Sequence, residues 1–521
     1  MLIFLTGAVI LSVEVLASRI MTPYFGVSLY IWAAILSTTL AFLALGYFWG
    51  GRVTHIVSQE AVNFYFLGAP IGSAAALATG CLLYPILFPV FLEFDLVIGS
   101  FLGSTLLLAG PLVALSAMNP MLVALLSSSS SRGDGGAGRI FFISTTGSVL
   151  GVLLTAFALI PYITNFRAIL LLSLVLSAAA TATVITSSEL AVFRKKRLLI
   201  AAAGTTLLSL VLLTGQQQYL RIIGSYDSAL YTFDVKAEYT SLFGNIKVVE
   251  VRPRSLADSP VVAYLQDGLI QNRMTLDGTS VSMYTYVLED LALSFVPDAK
   301  DALVLGLGAG IVAQSLQRHG LNVTVVDINS DSLDAAKAFF NFDPAGIELH
   351  WRDARTFVRP CRTSYDIVIV DLFQGDGTPD YLLTREFFRD LERCIRADGA
   401  VVMNAFFDTA DESPNKRLLA TAVAAFEHVY GYRSGSGNGF IVGARHPRLV
   451  TRPRDTSEIP LFVQDIVIKT LLSGQLIEKS IITQYAPMTD LHNVAGVVFS
   501  GAQMRLRRAL AKQYPPHVMI N

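Results

Sequence analysis

Seven long apolar runs fill the first 215 or so residues of this chain, and they restrict its fold more than any other feature. A segment that crosses lipid must pair its backbone polar groups internally, which takes about 20 mainly apolar residues in an α-helix. Runs at roughly 2–18, 28–49, 63–90, 95–117, 140–161, 167–186 and 198–214 meet that requirement. The first is not read as a cleavable signal peptide: it lacks a basic start, contains Glu14 and is followed at once by another run. A mean hydropathy of +0.54 with 15% charged residues is too apolar for an ordinary soluble protein of this size. The expectation is an α-helical membrane domain of about seven spans over residues 1–219, with the lipid bilayer as partner and a bacterial inner membrane as location.

Small residues recur inside the runs, at Gly72-Ser-Ala-Ala-Ala76 and at Gly147, Ser148 and Gly151, as expected where helices pack closely. Ser127 to Gly138 has the composition of a flexible connector. Glu14 is either functional or paired with Arg19 or Arg52, because an intramembrane carboxylate is costly. The net charge of −1 gives no reason to expect nucleic-acid binding. Cys81, Cys361 and Cys394 form no CxxC, and the seven histidines show no metal-ligand spacing. Neither a disulfide framework nor a metal site is expected.

From about residue 220 the composition is globular. Residues 220–295 read as a β-rich segment, with strands at 245–251 and 261–265, a turn at Asp267-Gly268 and a helix over 281–293. From residue 296 strands and helices alternate. Strands at 302–305, 323–326, 348–350, 365–370 and 400–403 are separated by helices at 311–319, 331–340 and 384–396, with a turn at Asp398-Gly399. The short, wholly apolar strands suit a parallel sheet covered on both faces, so residues 296–521 are expected to form a Rossmann-like α/β domain.

Ligands of such sheets sit beyond the carboxyl ends of the strands. There the chain places Gly306, Gly308 and Gly310, whose backbone can turn tightly. Asp327 and then Ile328 follow the second strand, where the carboxylate can accept ribose hydroxyls. Asp353 and Ala354 follow the third, where the acid can receive an adenine amino group. Nicotinamide cofactors share the first two features but prefer GxGxxG to the GxGxG found here. The combination points to a nucleoside of the S-adenosyl type.

On Ser241-Leu-Phe-Gly-Asn-Ile-Lys-Val-Val-Glu250, Asp267-Gly-Leu-Ile-Gln271, Val304-Leu-Gly-Leu-Gly-Ala-Gly310, Val326-Asp327-Ile328 and Ile369-Val-Asp371, residues 241–410 resemble the spermidine synthases, the polyamine aminopropyltransferases. Residues 220–240 and Tyr485-Ala-Pro487 resemble them more weakly, and the preceding helices resemble those of membrane-fused spermidine synthase-like proteins. The resemblance implies a class I S-adenosylmethionine-binding fold and transfer of a propylamine chain from decarboxylated S-adenosylmethionine, releasing methylthioadenosine. It implies that Asp327 binds ribose, Asp353 adenine and Gln271 the donor. Asp371 is the implied general base or anchor for the attacking amine.

Three departures bear on the substrate. Ala309 stands where the family has an acid that binds the donor amine, so intact S-adenosylmethionine becomes a candidate donor. Gln374 replaces a second acid, with Asp376 as a candidate substitute, and Tyr286 replaces a helix glutamate. The acids for the far end of a diamine are thus largely missing. The leading expectation is amine attack on the propyl carbon of S-adenosylmethionine or its decarboxylated form, by a small external amine or by the donor's own α-amine. The latter closes a ring to azetidine-2-carboxylate, with Tyr264 and Tyr286 lining the pocket around the sulfonium. A methyltransferase, an ordinary spermidine synthase using putrescine, and a transporter with a nucleoside-sensing domain are the alternatives. The basic cluster Arg194-Lys-Lys-Arg197 before the last span argues for a catalytic domain outside the cytoplasm. A cytosolic nucleoside donor argues for the cytoplasm, which is the working expectation. The stretch 95–127, with Pro111 and Pro120, is where the span count could change. A homodimer through either half stays open.

Overall fold

A computed structural model describes residues 1–127, 136–224, 230–255, 259–362, 364–373, 375, 377–435 and 437–520. The chain divides into two compact units, Met1–Ser228 with Arg507–Asn521, and Ala229–Leu506.

The first unit is helical: α1 (Leu2–Phe25), α2 (Leu29–Ile56), α3 (Gln59–Phe91), α4 (Leu96–Ser116), α5 (Met118–Ser127), α6 (Ala137–Leu154), α7 (Asn165–Thr186) and α8 (Val192–Gly224). Among the described residues, seven helical stretches are long and apolar enough to cross a membrane. The proline-bearing stretch counts once, as α4 and α5 together form the stretch Leu96–Ser127. α1 and α6 touch through glycines. A Cβ on Gly147 would meet the Phe4 carbonyl oxygen, and one on Gly151 the Ala8 carbonyl oxygen. That approach lets side chains reach backbone across the pair: Ser148 Oγ donates to Gly7 O (2.9 Å) and Ser12 Oγ to Gly151 O (3.1 Å). Gly72, by contrast, faces nothing within 4 Å.

One expectation for this unit is corrected. The last residues, 507–521, belong with the helices rather than with the α/β domain. Arg507 is fully buried there and donates to the Thr22 and Pro23 carbonyl oxygens near the end of α1. A guanidinium suits the unpaired carbonyls of a helix C-terminus.

The second unit holds two sheets. β1 (Tyr231–Ser241), β2 (Gly244–Pro253), β3 (Val261–Gln266) and β4 (Leu269–Thr275) form an antiparallel meander. α9 (Met283–Phe295) leads into β5 (Asp301–Leu305), α10 (Ile311–Arg318), β6 (Asn322–Asp327), α11 (Asp331–Phe339), β7 (Ile347–Trp351), α12 (Ala354–Val358), β8 (Tyr365–Val370), α13 (Arg385–Cys394) and β9 (Ile395–Phe406). α14 (Ser413–Val423), β10 (His428–Arg433), β11 (Asn438–Ala444), α15 (Leu461–Leu472) and the short β12 (Gln475–Leu476) follow.

The large sheet runs β12-β10-β11-β9-β8-β5-β6-β7, with β7, β6, β5, β8 and β9 parallel and β11 antiparallel to β9. Alternate residues of β5 serve two apolar layers. Ala302 and Val304 pack with α9 and α10, and Leu303 and Leu305 pack with α13 and α14. Burial on both faces is why these strands read as unbroken apolar runs. Strand order reverses between β5 and β8, which opens a crevice at their carboxyl ends. Asp398-Gly399 lies inside β9 rather than ending an element. It forms an irregularity there, since Tyr365 pairs with Ile395 but Ile367 pairs with Ala400.

The cysteines also differ from expectation. Cys361 and Cys394 form a disulfide, with Cα atoms 5.1 Å apart. They stand 33 residues apart in sequence, just after α12 and at the end of α13, so only packing of the two helices brings them together.

Candidate active site

A cavity opens at the reversal point of the large sheet. The glycine turn after β5 approaches the end of β8 so closely that a Cβ on Gly306 (φ +98°) would meet the Asp371 carbonyl oxygen. Gly306 and Gly308 line the cavity. Gly310 does not: it caps α10 and packs against the Phe342 ring, so its role is structural. Ala309 is fully buried in an apolar cluster with Ile246, Val248 and Tyr264. A carboxylate in that cluster would be costly without a counter-charge.

Asp327 ends β6. Its carboxylate accepts the amides of Leu307 (2.7 Å) and Asn329 (2.8 Å), so it ties the glycine turn to the β6 end. Burial pushes its pKa up, and these amide bonds oppose the shift. Ile328 and Asn329 lie beside it on the cavity wall. Asn329 Nδ2 is a buried donor with no partner among the described residues. Asp353 caps α12 through the Thr356 amide and hydroxyl (both 2.8 Å) and accepts the Tyr381 hydroxyl (2.7 Å). Burial works upward on its pKa, but the bonds from Tyr381 and Thr356 outweigh it and hold the group below the usual range. Ala354 lies alongside.

Asp371 follows β8. Burial raises its pKa to about 6, against hydrogen bonds from Asn404 and Tyr284. Asn404 Nδ2 donates to Asp371 Oδ1 (2.9 Å) and is itself braced by Asn438 Nδ2 (3.2 Å). On the other side Asn272 Nδ2 donates to Tyr284 Oη (2.8 Å), whose own proton goes to Asp371. This order of donors leaves Asn272 Oδ1 as a buried acceptor without a partner among the described residues, in a side chain that lines the cavity. Gln271 also lines the cavity, and its Nε2 donates to Gly375 O (2.7 Å), which holds the loop after β8. Gln374 and Asp376, in that loop, lie outside the described residues.

The structure thus brings together Tyr264, Gln271, Gly306, Gly308, Asp327, Ile328, Asp353, Ala354 and Asp371. Tyr286 is corrected. Its hydroxyl donates to Ser280 O (2.9 Å) and its ring packs on the core, because two residues along a helix turn a side chain to the opposite face. Tyr284 takes the place assigned to it. Accordingly, Tyr284→Phe is expected to lower turnover about 10- to 100-fold by releasing Asp371, whereas Tyr286→Phe stays within about threefold of the wild type. Steady-state rates of the two variants check this.

Tyr284, Asn272, Tyr381 and Asn404 were not singled out from sequence. Asn404 carries a legible signal, a polar residue ending the apolar run Ala400-Val-Val-Met403 beside β8. Tyr485-Ala-Pro487 sits by α14, where Lys416 lies over the Tyr485 ring and Arg417 donates to Ala486 O. Glu289, His319 and Glu458 cluster elsewhere in this unit, but the Arg454 guanidinium lies 3.3 Å from Glu458 and 3.5 Å from the His319 ring. A cation already occupies that cluster, which reads as an ion-pair network.

Comparison with known proteins gives the following similarities. Residues 281–418 match the spermine/spermidine synthase domain. A probable polyamine aminopropyl transferase of Bifidobacterium longum is 25% identical over 227 residues, covering 43% of this chain and 47% of that protein. Polyamine aminopropyltransferase 2 of Hyperthermus butylicus is 34% identical over 145 residues, 26% of this chain and 48% of that protein. The chain spans about half the length of the curated relatives it matches. Among solved structures, a probable spermidine synthase from Corynebacterium glutamicum superposes with a TM-score of 0.41 at 18% identity, covering 49% of this chain and 97% of that one. Over residues 281–418 the chain is thus spermidine synthase-like, with relatives among the polyamine aminopropyltransferases.

Proposed function

We propose that this protein is an aminopropyl-type transferase in which an amine attacks the propyl carbon beside the sulfonium of an S-adenosyl donor and releases methylthioadenosine. The observation that carries this reading is Asp371, held between Tyr284 and Asn404 in the same cavity as Asp327 and Asp353. Asp327 and Asp353 would hold ribose and adenine. The amine lone pair forms the new C–N bond, the C–S bond breaks onto sulfur, and the amine proton passes to Asp371. With a pKa of about 6, Asp371 is ionised at neutral pH and can accept that proton. Sulfur leaves as a neutral thioether and needs no acid, so positioning supplies most of the acceleration.

Intact S-adenosylmethionine is a candidate donor because Ala309 supplies no acid at the glycine turn, while the unpaired Asn272 Oδ1 offers a neutral acceptor for the amine that both donor forms carry. If the donor's own α-amine attacks, the product is azetidine-2-carboxylate and no diamine subsite is needed. The seven apolar helices are proposed to anchor the enzyme in a membrane, with the catalytic unit on the cytoplasmic side where the donor is made. A methyltransferase remains the second reading, favoured by the GxGxG turn alone.

The donor is tested by incubating detergent-purified protein with S-adenosylmethionine alone, and separately with decarboxylated donor plus putrescine. Methylthioadenosine from the first mixture supports intact donor and self-cyclisation. Methylthioadenosine from the second alone makes the enzyme an ordinary spermidine synthase and refutes the reading of Ala309.

A further inference from the structure

Away from the cavity, α12 with the turn that follows it lies beside α13, and arginines recur along both. Arg355, Arg359 and Arg362 follow one another at four and three residues, and Arg385, Arg389 and Arg393 at four and four. Five of the six line a single open groove, with Arg385 just outside it. The Cys361–Cys394 disulfide joins the ends of the two stripes, so the stripes are held as one surface.

Charge in the groove is unevenly committed. Its four carboxylates are all engaged: Glu386 with Arg385 and the Asp490 amide, Asp390 with Arg393, Glu392 with Arg445, and Asp490 with Arg355. Arg362 donates to two backbone carbonyls, of Arg359 and Cys361. Arg359 lies near enough to the Asp490 carboxylate to help hold its pKa down, but Asp490 is bonded by Arg355, and neither Arg359 nor Arg389 closes a salt bridge among the described residues; both are exposed. Two guanidiniums without a salt bridge, one just past α12 and one on α13, line one groove and make a site for a doubly charged oxyanion. A guanidinium fork matches phosphate geometry, and charge-assisted bonds of this kind are the strong ones.

We propose that the α12–α13 groove binds phosphate groups through Arg359 and Arg389, with Arg362 and Arg355 at its edge. The chemistry is shared by free phosphorylated compounds and by anionic lipid headgroups. The site is separate from the nucleoside cavity but adjoins it through α12, whose capping residue Asp353 faces the cavity.

Calorimetric titration of the detergent-purified full chain with pyrophosphate tests this. Saturable binding is expected, weakened at least about tenfold in Arg359→Gln/Arg389→Gln and unchanged in Lys337→Gln/Lys469→Gln, which removes the same charge elsewhere. Saturating methylthioadenosine should leave pyrophosphate affinity unchanged. Weaker pyrophosphate binding in phosphatidylglycerol nanodiscs than in phosphatidylcholine nanodiscs would identify a lipid headgroup as the resident ligand. Equal binding in both would identify a free phosphorylated compound. The proposal is overturned if the wild type shows no saturable binding, if the arginine variant binds equally well, or if methylthioadenosine displaces pyrophosphate. Should the chain bind no methylthioadenosine, the nucleoside reading fails while the arginine comparison still decides this one.

Discussion

Asp371→Asn is expected to lower turnover at least about a thousandfold while leaving the protein folded, because the change removes a proton acceptor and keeps the shape of the side chain. The amide oxygen of the variant can still accept from Asn404, so that part of the positioning network survives. Burial makes the ionised carboxylate unfavourable, and the folded-state pKa of about 6 lies above the usual 3.8. The linkage follows from that direction. The folded state holds the proton more tightly, so its relative stabilisation is present below pH 3.8 and is lost as pH rises through about 6. At neutral pH the wild type carries the cost of a buried charge and the amide variant does not. Its melting temperature should therefore equal or exceed that of the wild type. In the wild type the rate should fall about tenfold per unit of pH below about 6, as the base is protonated. A full-length variant that melts normally and turns over at more than about a tenth of the wild-type rate would remove Asp371 from the chemistry.

Asp327→Ala should abolish nucleoside binding, with a loss of about a hundredfold or more in methylthioadenosine affinity. Two consequences combine. The variant loses the acceptor placed for ribose hydroxyls, and the Leu307 and Asn329 amides lose the carboxylate that orders the glycine turn. Asp327→Asn separates them. An amide oxygen can still accept one of those two bonds, so its loss should be smaller than that of the alanine variant. Equilibrium binding of methylthioadenosine to the three proteins gives the ranking, and equal affinity across them would place the ribose elsewhere.

Much of this site was legible before any coordinates, and the reason is periodicity. Parallel strands buried on both faces announce themselves as short apolar runs, and their ends mark where Gly306, Asp327, Asp353 and Asp371 must stand. Residues that act from the sides of the crevice were harder. Tyr284 and Tyr286 are two positions apart, and only the phase of α9 against the sheet decides which one faces Asp371. Asn404 comes from the neighbouring strand, and Asn272 from a separate sheet whose placement no local pattern encodes. The Cys361–Cys394 pair was invisible for the same reason, since it depends on how α12 meets α13. In the helical unit the seven apolar stretches were plain, but their ends were not. α8 continues through Gln216-Gln-Gln218 to Gly224, beyond the hydropathy drop near residue 214.

Identification of the nucleoside product by mass spectrometry, after incubation of purified protein with S-adenosyl donor, is the most direct test of propyl-chain chemistry. Methylthioadenosine formed by the wild type and not by Asp371→Asn is the predicted result. S-adenosylhomocysteine in its place would mean methyl transfer and would contradict the assignment of Asp371 as acceptor of an amine proton.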